Sequence, residues 1–445
     1  MNFRLILFFI LLILDLVSCT RFLKTFENYQ DIDELYKKEK DKKSRLQKNS
    51  KKCSISSDLE VVTNDQAQSD SLHHFLEQQK NKFSFIEKAV ILSLFQLHYR
   101  PDLTNPQSRS QFIFYYNNQR YFFDFPNQNI YRDNPYPYLA GLQEILTQFK
   151  SSKNIFQIYD EFKLLYQAPI FIDKELSEFI NQEYQKLTLD DELSSYYTRS
   201  DEALKKDEKM PDFHLFKNFR LDPNFNSVKD KIFKQQAILS KSEYKLTQYK
   251  SSKKQIIECN VDLNEYDQSH FFITNLIKKS NLFMLRENNF FFAGISTHDE
   301  FLVPFNHTIA KSPFIKIKAE SQPIPICFIT DPKTKSQYWL IASHSRDPGQ
   351  HLHNIVNYQK GEFTPKELKK IIEFSRHLFL LNPLRLSFEA KRARPAQTRE
   401  LLNLNIPVYN AEKIGKVWGS LLKTDASPII TLDNRENGFT SCHKN

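Results

Sequence analysis

The sequence predicts a mixed α/β or α+β fold. An N-terminal domain should combine helices with an aromatic β-hairpin, and a C-terminal mixed sheet should carry a second β-hairpin and a βαβαβ segment. Three observations predict it. Aromatic or apolar runs flank turn residues at two places, around Asn117-Asn118 and around Pro332 to Lys335. After Thr364, strand-like and helix-like runs alternate, the pattern of parallel strands joined by right-handed crossovers. Between these regions, Asp190 to Lys254 turns to charge with little sustained periodicity, which marks a connector. The expected division is a signal segment over 1–18, a basic polar stalk or linker over 19–71, an N-terminal domain over 72–189, a charged, partly helical connector over 190–265, and a C-terminal domain over 266–445. A chain of 445 residues with 40% hydrophobic content can fill two such cores.

Taken in order, the first element is for export. Met1 to Arg4 supplies one positive charge, and Leu5 to Leu14 is an unbroken apolar run that ends before Asp15. Spanning a bilayer takes about 20 apolar residues, so a secretory signal and an extracytoplasmic destination are expected. Leu16-Val17-Ser18-Cys19 resembles a bacterial lipobox, which implies lipidation of Cys19; Val17 and Ser18 equally suit ordinary signal cleavage. The Lys-dominated stretch that follows, Lys37 to Lys52, carries much of the net charge of +9 and offers peripheral attachment to an anionic surface, or else a solvated stalk.

Phe83 to Tyr99 repeats apolar residues at helical spacing and stops at Pro101, which predicts a core helix. Phe112 to Tyr116 and Tyr121 to Phe125 form the first hairpin, because Asn117-Asn118 tolerates the positive φ of a tight turn. Tyr138 to Phe149 and Glu175 to Leu187 read as helices. In the C-terminal unit, Phe290 to Ala293 and Phe314 to Lys318 read as strands, and Ile324 to Asp331 pairs with Gln337 to Ser343. Thr364-Pro365 starts a helix expected to run to Leu380. Strand Leu384 to Phe388, helix Pro395 to Leu404, strand Ile406 to Tyr409, helix Ala411 to Leu422 and strand Pro428 to Leu432 complete the alternation.

Composition excludes several chemistries. With only 7 Gly, none closely spaced at a phosphate-cradling turn, P-loop and dinucleotide sites are absent. Gly-x-Ser-x-Gly, His-Glu-x-x-His and Cys-x-x-Cys are also missing. Cys53, Cys259, Cys327 and Cys442 match no metal module; Cys327 with Cys442 is the expected disulfide, since both lie in the same predicted unit.

Two segments carry candidate chemistry. Residues beyond the carboxyl ends of parallel strands are where α/β sheets bind ligands, and Glu389-Ala390-Lys391-Arg392-Ala393-Arg394 occupies that position after Leu384 to Phe388. Lys391, Arg392 and Arg394 ahead of a helix N-terminus make an anion site. Glu389-x-Lys391 resembles half of the PD-(D/E)xK nuclease signature, which implies Glu389 as a metal-binding carboxylate with Asp331 upstream. The second segment, His344 to His353, offers His344 as a general base oriented by Asp347, with Glu389 as the alternative proton-transfer group, or His351 and His353 as ligands for a divalent metal. The expectation is an exported protein whose C-terminal unit binds or hydrolyses an anionic substrate such as a phosphoester, nucleic acid or acidic glycan. The competing expectation is a secreted or surface-anchored binding protein without an active site.

Overall fold

The computed structural model describes residues 58–440, apart from 107, 126–136, 190–193, 195–196, 201, 211–228, 231, 234–245, 251–254, 264–279, 298–322, 346, 360, 381–383, 425, 434 and 436–438. The signal segment, Cys19, the basic stretch over 37–52 and the strand expected over 314–318 lie outside the described residues.

The helices are α1 Gln66–Gln78, α2 Phe85–Tyr99, α3 Pro137–Gln148, α4 Ile155–Leu165, α5 Lys174–Leu187, α6 Pro348–Tyr358, α7 Pro365–Ile372 and α8 Pro395–Leu402. The strands of the first half are β1 Leu59–Thr63, β2 Arg109–Tyr116, β3 Gln119–Phe125, β4 Thr198–Arg199, β5 Glu202–Ala203, β6 Thr247–Lys250 and β7 Ile256–Cys259. Those of the second half are β8 Asn281–Glu287, β9 Phe290–Thr297, β10 Ile326–Thr330, β11 Gln337–Ser343, β12 His377–Leu380, β13 Arg385–Phe388, β14 Val408–Asn410, β15 Lys416–Lys423, β16 Ala426–Thr431 and β17 Phe439–Thr440.

Two antiparallel six-stranded sheets form the frame, in the orders β17-β1-β8-β9-β2-β3 and β16-β15-β11-β10-β7-β6. Side-chain alternation along each strand builds three apolar layers from them. Ile113, Tyr115, Leu282, Met284, Phe291 and Ile295 of the first sheet meet Ile326, Phe328, Trp339, Ile341 and Trp418 of the second. The opposite face of the first sheet, with Phe112, Phe114, Phe283 and Phe292, packs on α1 to α4. That of the second, with Ile329, Leu340 and Val417, packs on Leu352 and Ile355 of α6 and Leu368 and Ile372 of α7. The result is a helix–sheet–sheet–helix sandwich. Each fully buried Leu, Ile or Phe contributes about 1.5–3 kcal/mol, so this double-faced burial dominates the stability.

Helix α2 is buried on all sides, as the central helix of its layer. Its start is a capping box, in which Ser84 Oγ accepts from the Glu87 amide at 3.3 Å and Glu87 Oε2 accepts from the Ser84 amide at 2.9 Å. The aromatic hairpin turns where expected, with φ of 51° at Asn117 and 59° at Asn118, and its Phe112, Phe114, Phe123 and Phe125 lie in the core.

The mixed helix and strand content agrees with the predicted class, and the topology adds detail. Among the described residues, only β13 and β14 pair in parallel, across α8, inside a small three-stranded sheet completed by β12. The run over 411–422 is not helical; residues 416–423 form β15, the strand beside β11. A Cβ at Gly419 would lie 2.7 Å from the Ile372 methyl of α7, so any larger residue there would force that side chain to shift. Helix α7 ends at Ile372, and the residues expected to extend it to 380 include strand β12. The first sheet draws β1 to β3 from residues 59–125 and β8 and β9 from 281–297, so stretches on both sides of the expected connector share one sheet. The disulfide joins Cys259 to Cys327, register partners on β7 and β10, rather than Cys327 to Cys442. Their Cα atoms lie 4.2 Å apart, the close spacing of directly opposed antiparallel residues.

Candidate functional site

Strand alternation decides which polar residues can meet between the sheets. On β8, Leu282 and Met284 face the second sheet, and the same alternation turns Ser280, one residue before the strand, to that face. Gln111 shares the inter-sheet face of β2 with Ile113 and Tyr115, as Ser343 does on β11 with Ile341, and Lys416 on β15 with Trp418. Ser343 and Lys416 are register partners, and the Ile324 amide donates to Gln111 Oε1 at 3.0 Å across the sheets. All four positions therefore line one end of the sandwich, and all are buried.

Ser280 Oγ is the chemically notable atom. It is buried and has no hydrogen-bond partner among the described residues, although a buried hydroxyl left unpaired costs about 1–3 kcal/mol. Its neighbour Asn281 is fully engaged. Asn281 Oδ1 accepts from Asn64 Nδ2 at 2.9 Å, and its Nδ2 donates to Gln96 Oε1 at 2.9 Å and Thr104 Oγ1 at 2.8 Å. Thr104 Oγ1 lies 2.6 Å from Ser296 Oγ, while Lys416 Nζ donates to Asn64 Oδ1 at 3.5 Å and sits 4.2 Å from the Trp418 ring centre. The start of β8 is thus tied to β1, α2 and β15 at once.

Charge frames this end. Arg100 donates to Asp102 at 2.8 and 2.7 Å and to Glu175 at 2.9 Å, and Tyr99 donates to Asp173 Oδ2 at 3.1 Å. Burial pushes the Glu175 carboxyl up, but Arg100, then His344 and Lys416, outweigh it and hold it down at about 2. The same influence places His344 near this end; its φ is 58° and its Nδ1 is 2.9 Å from Ser343 Oγ.

The other residues singled out from the sequence are dispersed. Asp347 is the N-cap of α6, accepting from the Gln350 amide at 3.4 Å. From Pro348 onward the segment read as a histidine loop is helix α6, and residues two apart on a helix point to different sides. His351 is wholly buried, whereas His353 reaches Asn357 on the outer surface at 3.2 Å. They cannot share a metal, and no cluster of His, Cys, Asp or Glu suited to one occurs among the described residues. Glu389 is fully enclosed, with Oε1 and Oε2 each 2.7 Å from the Arg435 guanidinium. Asp331 instead closes the β10–β11 turn, accepting from the Lys333 amide and the Thr334 hydroxyl. The nuclease-like pairing of Asp331 with Glu389 is therefore not formed. Lys391 and Arg394 are exposed on the turn before α8, Arg392 is half-buried, and Arg394 lies 5.3 Å from the Tyr358 ring centre. Sequence reasoning missed Ser280, Asn281, Asn64 and Lys416, because no local motif marks residues brought together from three distant strand ends.

Solved structures share this architecture. The crystal structure of cephalosporin acylase from Bacillus halodurans matches 87% of this chain and 96% of its own, with a TM-score of 0.55 at 7% identity. Two forms of LmbA2991 match 86% of this chain and 98% of theirs, with TM-scores of 0.59 at 7% and 8% identity. At these identities the likeness is one of fold. No protein-family model and no curated protein matches the sequence.

Proposed function

We propose that this protein is an exported hydrolase that cleaves an amide bond in an anionic acyl substrate, with the Ser280 hydroxyl as nucleophile. The observation that carries the reading is the enclosed, unpartnered Ser280 Oγ at the start of a strand between the sheets of an acylase-like fold. Attack of Oγ on the amide carbonyl forms an ester, the C–N bond breaks, and the hydroxyl proton passes through a base to the departing amine. Water then hydrolyses the ester to release the acid.

Two nitrogens suit the base. One is His344, at the facing strand end. The other is the amine of Ser280 itself, which exists only if the Lys279–Ser280 bond is cut, since an intact peptide nitrogen has no basic lone pair. We take the second as the base, with His344 a polar neighbour at the facing strand end.

Export rests on the residues 1–18 pattern and is supported by the Cys259–Cys327 disulfide, a bond that persists in oxidising compartments. Attachment through a lipidated Cys19 or the basic stretch belongs to the same proposal. Among the described residues no helix is long and apolar enough to cross a membrane.

The test is a panel of acyl anilides, half carrying a free carboxylate on the acyl group, given to the chain lacking residues 1–18 and to its Ser280→Ala variant. Hydrolysis that prefers the carboxylate-bearing half and falls at least ~10³-fold in the variant is expected. Intact-mass analysis of the same samples should show a cut before residue 280 in the wild type alone. A variant that hydrolyses as well as the wild type would sink the reading.

A further inference from the structure

Strand β13, helix α8 and strand β14, with β12 on one side, make a small unit with a core of its own, built from Leu386, Phe388, Leu401 and Val408. In a parallel strand–helix–strand unit the helix runs back along the strands, so the end of α8 returns to the level where β13 begins. Leu402 and Leu404 therefore come back toward Leu384. The register agrees, since Leu386 lies beside Val408 and its amide donates to the Pro407 carbonyl at 2.8 Å, which sets Leu384 level with Ile406. Leu384, Leu402 and Leu404 are 40%, 40% and 46% exposed, three of the seven large apolar side chains that stay exposed among the described residues. Scattered singly they would need no explanation; gathered at one end of one small unit they form a patch.

Cations run alongside it. Helix α8 buries Thr398 and Leu401, and helical spacing puts Pro395, Arg399 and Leu402 on one flank, with Glu400 on the other. Lys391 and Arg394 stand exposed ahead of the helix, whose eight residues extend about 12 Å, so one surface laid along α8 reaches both the cations and the leucines. Lys391, Arg394 and Arg399 pair with no carboxylate among the described residues. Over 384–413 the chain has six Lys or Arg and three Glu, and one of the three, Glu389, is enclosed against Arg435. A self-complementary contact with a second copy would bring these cations face to face, and a soluble anion would make no use of the leucines.

We infer that this face, α8 with the leucines at its end, docks the folded body on a bilayer with anionic headgroups. The leucines enter the boundary between headgroups and acyl chains, while Lys391, Arg394 and Arg399 meet the lipid phosphates. The inference does not depend on the reading of Ser280, and it uses residues other than Cys19 and the basic stretch over 37–52.

The chain lacking residues 1–18 is co-sedimented with vesicles of phosphatidylcholine, alone or mixed with phosphatidylglycerol. Binding to the mixed vesicles should exceed binding to the neutral ones, and should fall at least ~10-fold both in Lys391→Gln/Arg394→Gln/Arg399→Gln and in Leu402→Ser/Leu404→Ser. All these substitutions are at exposed positions, so the core is left intact. Residues 37–52 are common to every protein compared, and contact at the face itself is read separately in Leu404→Trp. Its fluorescence should shift to the blue on the mixed vesicles, above a constant background from Trp339 and Trp418, both buried. Unchanged binding in both multiple variants, or no shift in Leu404→Trp, overturns the inference. Binding lost in the charge variant but kept in the leucine variant would assign the face to soluble polyanions, and a solution dimer dispersed by the leucine variant would assign it to a second copy; either result overturns the lipid reading.

Discussion

At the scale of single residues, two histidines make the fold sensitive to mild acid. His351 is wholly buried with neither ring nitrogen partnered among the described residues, and burial, then the nearby Arg376 charge, depresses its pKa well below the usual 6.5. His377, whose Nδ1 is enclosed, is lowered to about 4 by burial and then by His353. A depressed pKa means that the unfolded chain binds protons the folded chain refuses, so stability is full above pH 6.5 and drains away as pH falls toward 4. Glu60 and Asp173 act in the opposite sense, because burial raises their pKa values and the folded state takes their protons more readily. Comparison with a variant isolates the histidine share. Between pH 7 and 5 the urea midpoint of the wild type should drop more than that of His351→Leu/His377→Phe; parallel profiles would refute the assignment. Little of this was legible beforehand. His344 and Glu389 stand out in the sequence by type and neighbourhood, but what surrounds them comes from far away. Arg435 lies 46 residues beyond Glu389, and only the fold reveals that this carboxylate is paired with a guanidinium rather than free for a metal.

At the scale of elements, legibility follows how local the cause is. The β2–β3 hairpin could be read because two adjacent asparagines decide it, and the helix α7 start because Thr364 caps it, accepting from the Glu367 amide at 3.1 Å. Strands β1 and β8 were not marked as strands, since their polar ends are explained only by neighbours in the sheet. Strand β15 was misread as a helix because Lys416 to Lys423 lacks strong alternation; its pairing with β11 overrides weak local preference. The asparagine turn gives this reasoning a quantitative check. At φ of 51°, Asn117 occupies the left-handed region, where an ordinary side chain costs about 1–2 kcal/mol and a β-branched one is worse placed. Asn117→Val should therefore lower stability by about 1–2 kcal/mol, while Asn117→Gly stays within about 0.5 kcal/mol of the wild type, as read by urea denaturation. Equal losses in both variants would show that the Asn117 side chain, and not its backbone, holds the turn.

At the scale of the whole molecule, the sandwich is assembled from segments remote in sequence, which is why it could not be foreseen from alternating runs. The first sheet inserts β1 and β8 between β17 and β9, so that the two ends of the described chain meet in one ladder. The second is closed at β7 by a covalent bond to β10, between Cys259 and Cys327, 68 residues apart. Both cysteines are buried and belong to the layer beneath α6 and α7. Closing a loop of that length removes unfolded-chain entropy equivalent to about 4 kcal/mol by the chain-entropy relation, a large fraction of the 5–15 kcal/mol typical of a folded domain. Replacing both cysteines with alanine should lower the free energy of unfolding by about 2–4 kcal/mol, together with a smaller loss from the two missing sulfurs in the core. Urea unfolding of the wild type with and without reductant separates the two, since reduction opens the loop and leaves the sulfurs in place. If reduction alone reproduces most of the loss, the fold depends on an oxidising surrounding, and that dependence would be an independent physical argument for the destination expected from residues 1–18. If reduction changes nothing while the double alanine variant is destabilised, the pair serves as core packing, and the case for export would rest on the N-terminal segment alone.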